Sequence, residues 1–296
     1  MAGFFGFFDY TKPGKGVSKN EPEKTGFALY FDILFRRFWK LISLNLFFII
    51  ASIPAILIAW IISTYFVTWS ASMSQMDIEE MATSLSLLSA FFTVILLLIC
   101  GSGPASAAMS YVIRKYVNDT HSWVWSDFVE HMKKNFKQGI AVYFINTLVI
   151  SMTLFSFLFY SYNMQNMLAV VLRTLVLVVG AVFIMMQLYV YQLMAGFELK
   201  VKHIYKNALL LTLAKLPWNI ISVLTAAFLV YGAFSLFMTS PLVGILIVFL
   251  LLFTIITFTE IFMTNNTVKK YILNPYLEEH KNDEEFFEAD FNDTVM

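Results

Sequence analysis

Polar and apolar positions along this chain fall into long blocks. Six apolar blocks have the length, ~20 residues or more, that a helix needs to cross a bilayer. They cover residues 41–65, 85–113, 140–160, 170–197, 220–237 and 242–263. The pattern predicts an all-α polytopic membrane protein with three domains: a leader at 1–40, a six-helix transmembrane domain at 41–263 and an acidic tail at 264–296, disordered from Glu278 onward.

Amphipathic segments precede every second apolar block. They are Phe27–Lys40, Trp125–Lys137 and Val201–Lys215, and each combines apolar residues at helical spacing with lysine or arginine. A plan repeated in this way predicts three helical hairpins, each introduced by an elbow helix at the membrane edge.

Composition agrees with a membrane protein, because 59% of the 296 residues are hydrophobic and 14% are charged. The formal charge of zero conceals a segregation of the basic residues. If the chain crosses the membrane six times, every lysine and arginine except Arg173 falls on the side that carries both termini. The positive-inside rule therefore predicts cytoplasmic termini in a plasma membrane and short external loops.

The stretch from Gly101 to Ser110 consists almost entirely of small residues, interrupted by Pro104. Proline lacks an N–H, so the carbonyl of Cys100 would lose its helical donor and need another partner. We predict a helix break with close packing here. Two interpretations stay open: a tight crossing between helices, or a broken helix beside a substrate path. The candidate residues are Gly101, Ser102, Gly103, Pro104 and Ser106.

The second elbow carries a separate candidate surface. Asp127 and Glu130 resemble a capping box, with Ser126 as an alternative cap. Apolar side chains and lysines then follow on opposite faces, which suits a helix that lies in the membrane interface or one that packs against a partner. The residues of this candidate surface are Trp125, Phe128, Lys133, Lys134, Phe136 and Lys137.

No motif for catalysis, nucleotide binding or metal binding accompanies these features. The sequence lacks H-E-x-x-H and G-x-x-x-x-G-K-[ST], and all four histidines fall in predicted loops. We expect no enzyme activity, no cofactor, no metal site and no nucleic-acid partner. Glu198 and Glu260 are expected near the ends of their spans, where carboxylates reach the interface. The candidate polar groups within the spans are Asn45, Asn146, Gln187 and Asn219, expected to bond neighbouring helices.

Three stretches resemble the long form of the YesL family, bacterial integral membrane proteins defined as a domain of unknown function. They are GFFDYTKPGKGVSKNEPEK with FRRFWKLISLNLFF, then GSGPASAAMSYVIRKYV, then WSDFVEHMKKNFKQG. In short members the S-L-P and T-I-G-P motifs are nearly adjacent. Here about fifty residues and an external loop separate Ser52-Ile53-Pro54 from Gly103-Pro104. The resemblance implies no catalytic residues and, by association, a link to carbohydrate uptake in a bacterial membrane.

Two functions therefore stand side by side. The first is a transport-associated protein, permease-like or accessory to carbohydrate uptake, which would contact other membrane or cytoplasmic transport subunits. The second is a scaffold or regulatory membrane protein. A polar cavity between the spans favours the first, and a dry bundle with grooves at its basic end favours the second. In either case the lipid bilayer is the main partner, and the sequence leaves the oligomeric state open.

Overall fold

The computed structural model describes residues 25–74, 82–164 and 166–275, apart from the side chain of Thr83. Over these ranges all the regular secondary structure is helical, which confirms the predicted fold class. The helices are α1 (Gly26–Arg36), α2 (Phe38–Ala51), α3 (Ile53–Met73), α4 (Ala82–Cys100), α5 (Pro104–Val117), α6 (Val124–Lys134), α7 (Phe136–Asn163), α8 (Met167–Gly196), α9 (Val201–Ala214), α10 (Leu216–Thr239), α11 (Pro241–Ile247) and α12 (Phe253–Val268). Two π-helical turns, Val248–Leu252 and Lys269–Leu273, continue α11 and α12.

Helices of this length and composition suit a bilayer, because a helix satisfies its backbone hydrogen bonds internally where no water is available. Within the described residues, α3, α7, α8, α10 and the continuous helix Pro241–Leu273 are long and apolar enough to span. The α4–α5 pair gives a sixth span if its two bent halves are taken together. Apolar side chains such as Leu175 and Val178 stay more than half exposed on α8, as expected for a lipid-facing surface.

Two predicted spans have different bounds in the structure. The first, 41–65, is broken at Ser52 into α2 and α3, and α3 continues to Met73. Pro54 lies in the first turn of α3, where its missing N–H costs no helical bond. The last predicted span ended at residue 263, but the helix continues to Leu273. The leader 1–24 and the tail from Glu278 lie outside the described residues.

A single residue separates each elbow helix from the apolar helix that follows it. Arg37 lies between α1 and α2, Asn135 between α6 and α7, and Lys215 between α9 and α10. Helix α1 belongs to a separate unit that ends at Arg36. Within that unit the rings of Phe31 and Phe35 stack with centroids 6.2 Å apart. The structure thus has a helix at each of the three positions where the sequence predicts an elbow.

Candidate functional site

The α4–α5 break is built by two glycines and a proline. Gly101 and Gly103 have φ of +70° and +71°, a conformation that other residues rarely adopt. Helix α5 starts at Pro104, and its axis is bent 64° from that of α4. The chain therefore stops one helix and starts another in a new direction within three residues.

The carbonyl of Cys100 has the replacement partners that the proline requires. The Asn146 side-chain amide donates to this oxygen at 3.0 Å, and the Tyr191 hydroxyl also donates to it. The Tyr205 hydroxyl in turn donates to the Asn146 side-chain oxygen at 2.6 Å. Helices α7, α8 and α9 thus meet at the end of α4 through side chains that satisfy one main-chain oxygen.

Helix α7 also crosses the break in direct backbone contact. A Cβ placed on Gly139 would lie 2.5 Å from the Pro104 nitrogen, and one on Gly103 would lie 2.7 Å from the Gly139 oxygen. Both distances are far below an ordinary van der Waals contact, so neither position has room for a side chain. The tight-crossing interpretation of the small residues therefore describes the α7 side of the break.

The break between α2 and α3 lies against the break between α4 and α5. The Ser52 hydroxyl donates to the Ser102 hydroxyl oxygen at 2.7 Å, and both side chains are buried. The Ser102 backbone N–H donates to Ser106 Oγ at 2.8 Å. Tyr143 of α7 donates to the Ala55 carbonyl at 3.1 Å. The Ser-x-Pro motifs that the sequence separates by about fifty residues form one paired break in space.

Asn45 stabilises the irregular turn that begins at Val248. Its amide nitrogen donates to the carbonyls of Val248 and Phe249 at 3.2 and 2.7 Å. Its oxygen accepts the backbone N–H of Thr254 at 3.0 Å. A π turn shifts the hydrogen-bond register and leaves main-chain groups in need of partners, which this fully buried amide supplies.

Asn219 does the same at the joint between α9 and α10. Its amide nitrogen donates to the carbonyls of Leu211 and Thr212 at 3.4 and 3.1 Å, and its oxygen accepts from the Tyr189 hydroxyl at 2.6 Å. Asn45, Asn146 and Asn219 are all fully buried. Each of the three predicted asparagines therefore bonds main-chain oxygens beside a break, a joint or a π turn.

A cavity of about 430 Å³ lies on the other side of the α4–α5 break. Helices α4, α5, α8, α10 and α12 contribute most of its wall, which is largely apolar. The polar lining residues are Ser106, Ser110, Gln187, Gln192, Thr257 and Glu260, together with the tyrosines 191 and 231. The broken-helix interpretation describes this side, because Gly101 and Ser106 belong to the break and also line the cavity.

Glu260 lines the cavity, and it lies within the helix Pro241–Leu273, which extends past the predicted span end at residue 263. The helix continues past residue 263 because its polar residues are paired with neighbouring helices. Thr264 accepts from the Gln192 side chain at 2.7 Å, and the Asn265 amide donates to the Asn118 side-chain oxygen at 2.9 Å. Of the four candidate polar groups within the spans, Gln187 is the one that lines the same cavity.

The elbow helix α6 packs on one side and is exposed on the other. Phe128 is buried near Phe47, whereas Trp125 and Phe136 are 62% and 52% exposed. Lys133, Lys134 and Lys137 are exposed as well, and Lys134 pairs with Glu198 at 3.0 Å. We call the exposed set Trp125, Lys133, Lys134, Phe136 and Lys137 the elbow surface.

The proposed capping box of α6 is wrong. The helix begins at Val124, with Trp123 at the N-cap position and no side-chain cap. Asp127 instead pairs with Lys115 at 3.0 Å and accepts from the Ser122 hydroxyl at 2.7 Å. Burial raises the pKa of the Asp127 carboxyl, but these two partners outweigh it and hold that pKa below its usual range. The residue therefore anchors α6 to α5 rather than capping its own helix.

Sequence reasoning missed Ser52, Tyr143, Tyr191, Tyr205 and Glu260. Only Ser52 carried a usable signal, since its Ser-x-Pro context repeats at Ser102. Tyr143 and Tyr191 lie in apolar runs and Tyr205 lies in the third elbow, and nothing in their spacing marks them as partners of a break. Their role follows from contacts between helices that are distant in the chain.

Fold and site together define a polytopic helical membrane protein with two paired helix breaks beside an internal cavity. A family model described as "Protein of unknown function, DUF624" matches residues 83–157. The matched region contains the α4–α5 break, α6 and the part of α7 that carries Gly139 and Asn146. No curated protein and no solved structure matches the chain.

Proposed function

We propose that this chain is a transport-associated, permease-like membrane protein that binds a small solute in the cavity beside the α4–α5 break. The observation that carries this proposal is the cavity itself. It lies among the apolar helices, has a volume of about 430 Å³ and is lined by Gly101 and Ser106 of a broken helix. The wall is largely apolar rather than polar as the sequence criterion required, so the volume of the cavity and the broken helix at its edge, not its polarity, support the proposal.

General physics supports a broken helix as part of such a site. Irregular backbone at membrane depth is tolerated where it is buried in protein or lines a cavity, and discontinuous helices often form transporter binding sites. Here the α7 side of the break is packed at Gly139, while the opposite side lines the cavity. The same break can therefore be held firmly and still present main-chain and serine groups to a solute.

The chemistry of the cavity narrows the solute. A sugar needs hydrogen-bond partners for most of its hydroxyl groups, and an unpaired buried hydroxyl costs about 1–3 kcal/mol. The wall offers few polar groups among many apolar ones. The YesL-like motifs suggest a link to carbohydrate uptake. For this chain the cavity supports a role accessory to such uptake, because its wall is poorly suited to binding the sugar itself.

The proposed role is non-enzymatic, with both termini in the cytoplasm of a bacterial cell. Among the described residues that line the cavity, Glu260 is the only acidic or basic side chain. A general acid or base at Glu260 would therefore have no second carboxylate, histidine or lysine in the wall to work with. Lysine and arginine concentrate on one side of the predicted six-span topology, which supports this orientation.

Flux measurements on purified protein in liposomes test the proposal. We expect uptake of small amphipathic solutes, and we expect Ala226→Trp to abolish it because Ala226 lines the cavity. Ala181→Trp is the matched control, since Ala181 is exposed on α8 and does not line the cavity. Equal flux through both variants, or no flux above protein-free liposomes, would contradict the proposal.

The elbow surface favours a second candidate function, a docking role at the membrane edge. Exposed aromatic rings beside exposed lysines suit contact with acidic headgroups or an acidic partner. We expect the triple change Lys133→Glu, Lys134→Glu and Lys137→Glu to weaken sedimentation with vesicles of phosphatidylglycerol when the protein is held in nanodiscs. A triple lysine-to-glutamate change at the exposed residues 202, 206 and 270 provides the same charge change elsewhere. The docking role fails if both triple variants behave alike.

A further inference from the structure

We propose that the cavity binds a protonated organic amine with an apolar body, and that Glu260 is the counter-ion of its ammonium group. The inference rests on the proposed function and names the class of solute. It depends on three observations: an unpaired carboxylate, two amide oxygens without donors, and an apolar aromatic wall.

The Glu260 carboxylate has no hydrogen bond and no ion pair with the described residues. It lies among apolar helices, away from both ends of the helix Pro241–Leu273. A charge that is largely removed from water and lacks a partner is costly, and in a membrane such a carboxylate normally has a partner or a function. Within the part of the chain described, none of the lining residues supplies a positive charge. A ligand can therefore supply the positive charge that Glu260 lacks.

Hydrogen bonding points to the same chemistry. Gln187 and Gln192 both line the cavity, and the side-chain oxygen of each is buried without a donor. Their amide nitrogens donate to the carbonyls of Phe183 and Leu188, which fixes the orientation of both amides. Both oxygens lie just beneath the cavity surface, and together with Glu260 they give this part of the wall acceptors without donors, hence an excess of partial negative charge. An ammonium group carries up to three N–H donors and no acceptor, so it complements this arrangement.

The rest of the wall suits the apolar body of such a molecule. Phe91, Phe234 and Tyr231 line the cavity, and the rings of Phe91 and Phe234 lie 4.2 Å apart between α4 and α10. Aromatic faces attract organic cations and pack well against alkyl or aryl groups. Tyr231 is also 68% exposed, so this part of the wall reaches the outer surface of the bundle. An amphipathic amine dissolved in the bilayer would meet the cavity there.

Carboxyl labelling of the intact wild-type protein tests the proposal without a variant. Dicyclohexylcarbodiimide is apolar and modifies carboxyl groups inside membrane proteins, and mass spectrometry of the peptide locates the product. We expect labelling at Glu260 and at least tenfold slower labelling with saturating N,N-dimethyl-2-phenylethylamine, a tertiary amine that cannot capture the activated carboxyl as an amide. The uncharged analogue 2-phenylethanol and sodium chloride should give no comparable protection. No labelling, no protection by the amine, or equal protection by the alcohol or by sodium would overturn the proposal.

Equilibrium dialysis with radiolabelled 2-phenylethylamine adds the variant test. We expect Glu260→Gln to lower affinity at least tenfold, whereas Glu198→Gln, at an exposed carboxylate paired with Lys134, should leave affinity unchanged. Accessibility of the buried Cys100 thiol reports whether each variant is folded. If the amine and the alcohol bind equally well, the selectivity for an amine is refuted. If Ala226→Trp also abolishes that binding, the proposed function of the cavity still stands. Absence of binding by either compound together with absence of flux would refute both proposals.

Discussion

Replacing Gly139 by alanine should separate the two backbones that meet at the α4–α5 break. The new Cβ would lie 2.5 Å from the Pro104 nitrogen, 2.8 Å from its Cα and 2.9 Å from the Gly103 carbonyl carbon, where ordinary contacts are 3.4–4 Å. All three atoms belong to the main chain, so no flexible side chain can move aside. The helices must therefore shift by roughly an ångström, a typical consequence of overpacking a dense interior.

The size of the effect follows from two contributions. Overpacking costs about 1–3 kcal/mol. The same shift disturbs the hydrogen bond from Asn146, two turns further along α7, to the Cys100 carbonyl, which adds about 0.5–1.5 kcal/mol. With about 2–4 °C per kcal/mol for chains of comparable size, the apparent Tm should fall by about 3–18 °C.

Cys100 provides the assay, because it is the only cysteine in the sequence and is 2% exposed. Heating detergent-purified protein with a thiol-reactive fluorescent dye reports the temperature at which this buried thiol becomes accessible. Gly232→Ala is the control, since a Cβ there meets nothing within 4 Å. If Gly139→Ala and Gly232→Ala unfold at the same temperature, the close backbone crossing does not contribute to stability as argued.

Three further outcomes are expected. Asn45→Ala should lower the free energy of unfolding by about 2–3 kcal/mol, since it leaves buried main-chain groups of the π turn unpaired, whereas alanine at the exposed Asn266 should change little; the thiol assay measures both. Ser52→Ala and Ser102→Ala should be non-additive in a double-mutant cycle by about 0.5–1.5 kcal/mol, and strict additivity would mean that the two breaks are uncoupled. Burial lowers the pKa of His131 below its unfolded value of about 6.5, so stability should fall as pH drops through 6.5 toward the folded pKa. His131→Gln should remove this pH dependence of the melting temperature. A pH dependence that persists in the variant would assign it to another group.

Local chemistry in the sequence was enough to predict the break but not its surroundings. Pro104 indicated that the Cys100 carbonyl lacks its helical donor, because a helical N–H bonds the carbonyl four residues earlier and proline has no N–H. The donors themselves, Tyr191 and Asn146, come from other helices, and helical spacing carries no information about which helices touch.

The misplaced end of the last span has a similar cause. The polar run from Thr264 to Thr267 resembles a span end when its residues are taken singly. In the folded protein Thr264 and Asn265 have partners on α8 and beside α5, so the helix continues and Glu260 becomes an interior residue. Hydropathy counts polar groups but does not show whether they are paired.

The three buried asparagines have a consequence for how this protein tolerates change. Their donor groups contact main-chain oxygens of Cys100, Val248, Phe249, Leu211 and Thr212, and every amino acid carries such an oxygen. These hydrogen bonds therefore survive a change of side chain at the acceptor positions, where packing at the buried Cys100, Leu211 and Thr212 is the remaining constraint. The asparagine amide is the one side chain that each set of bonds requires, so substitution should be tolerated least at the asparagines.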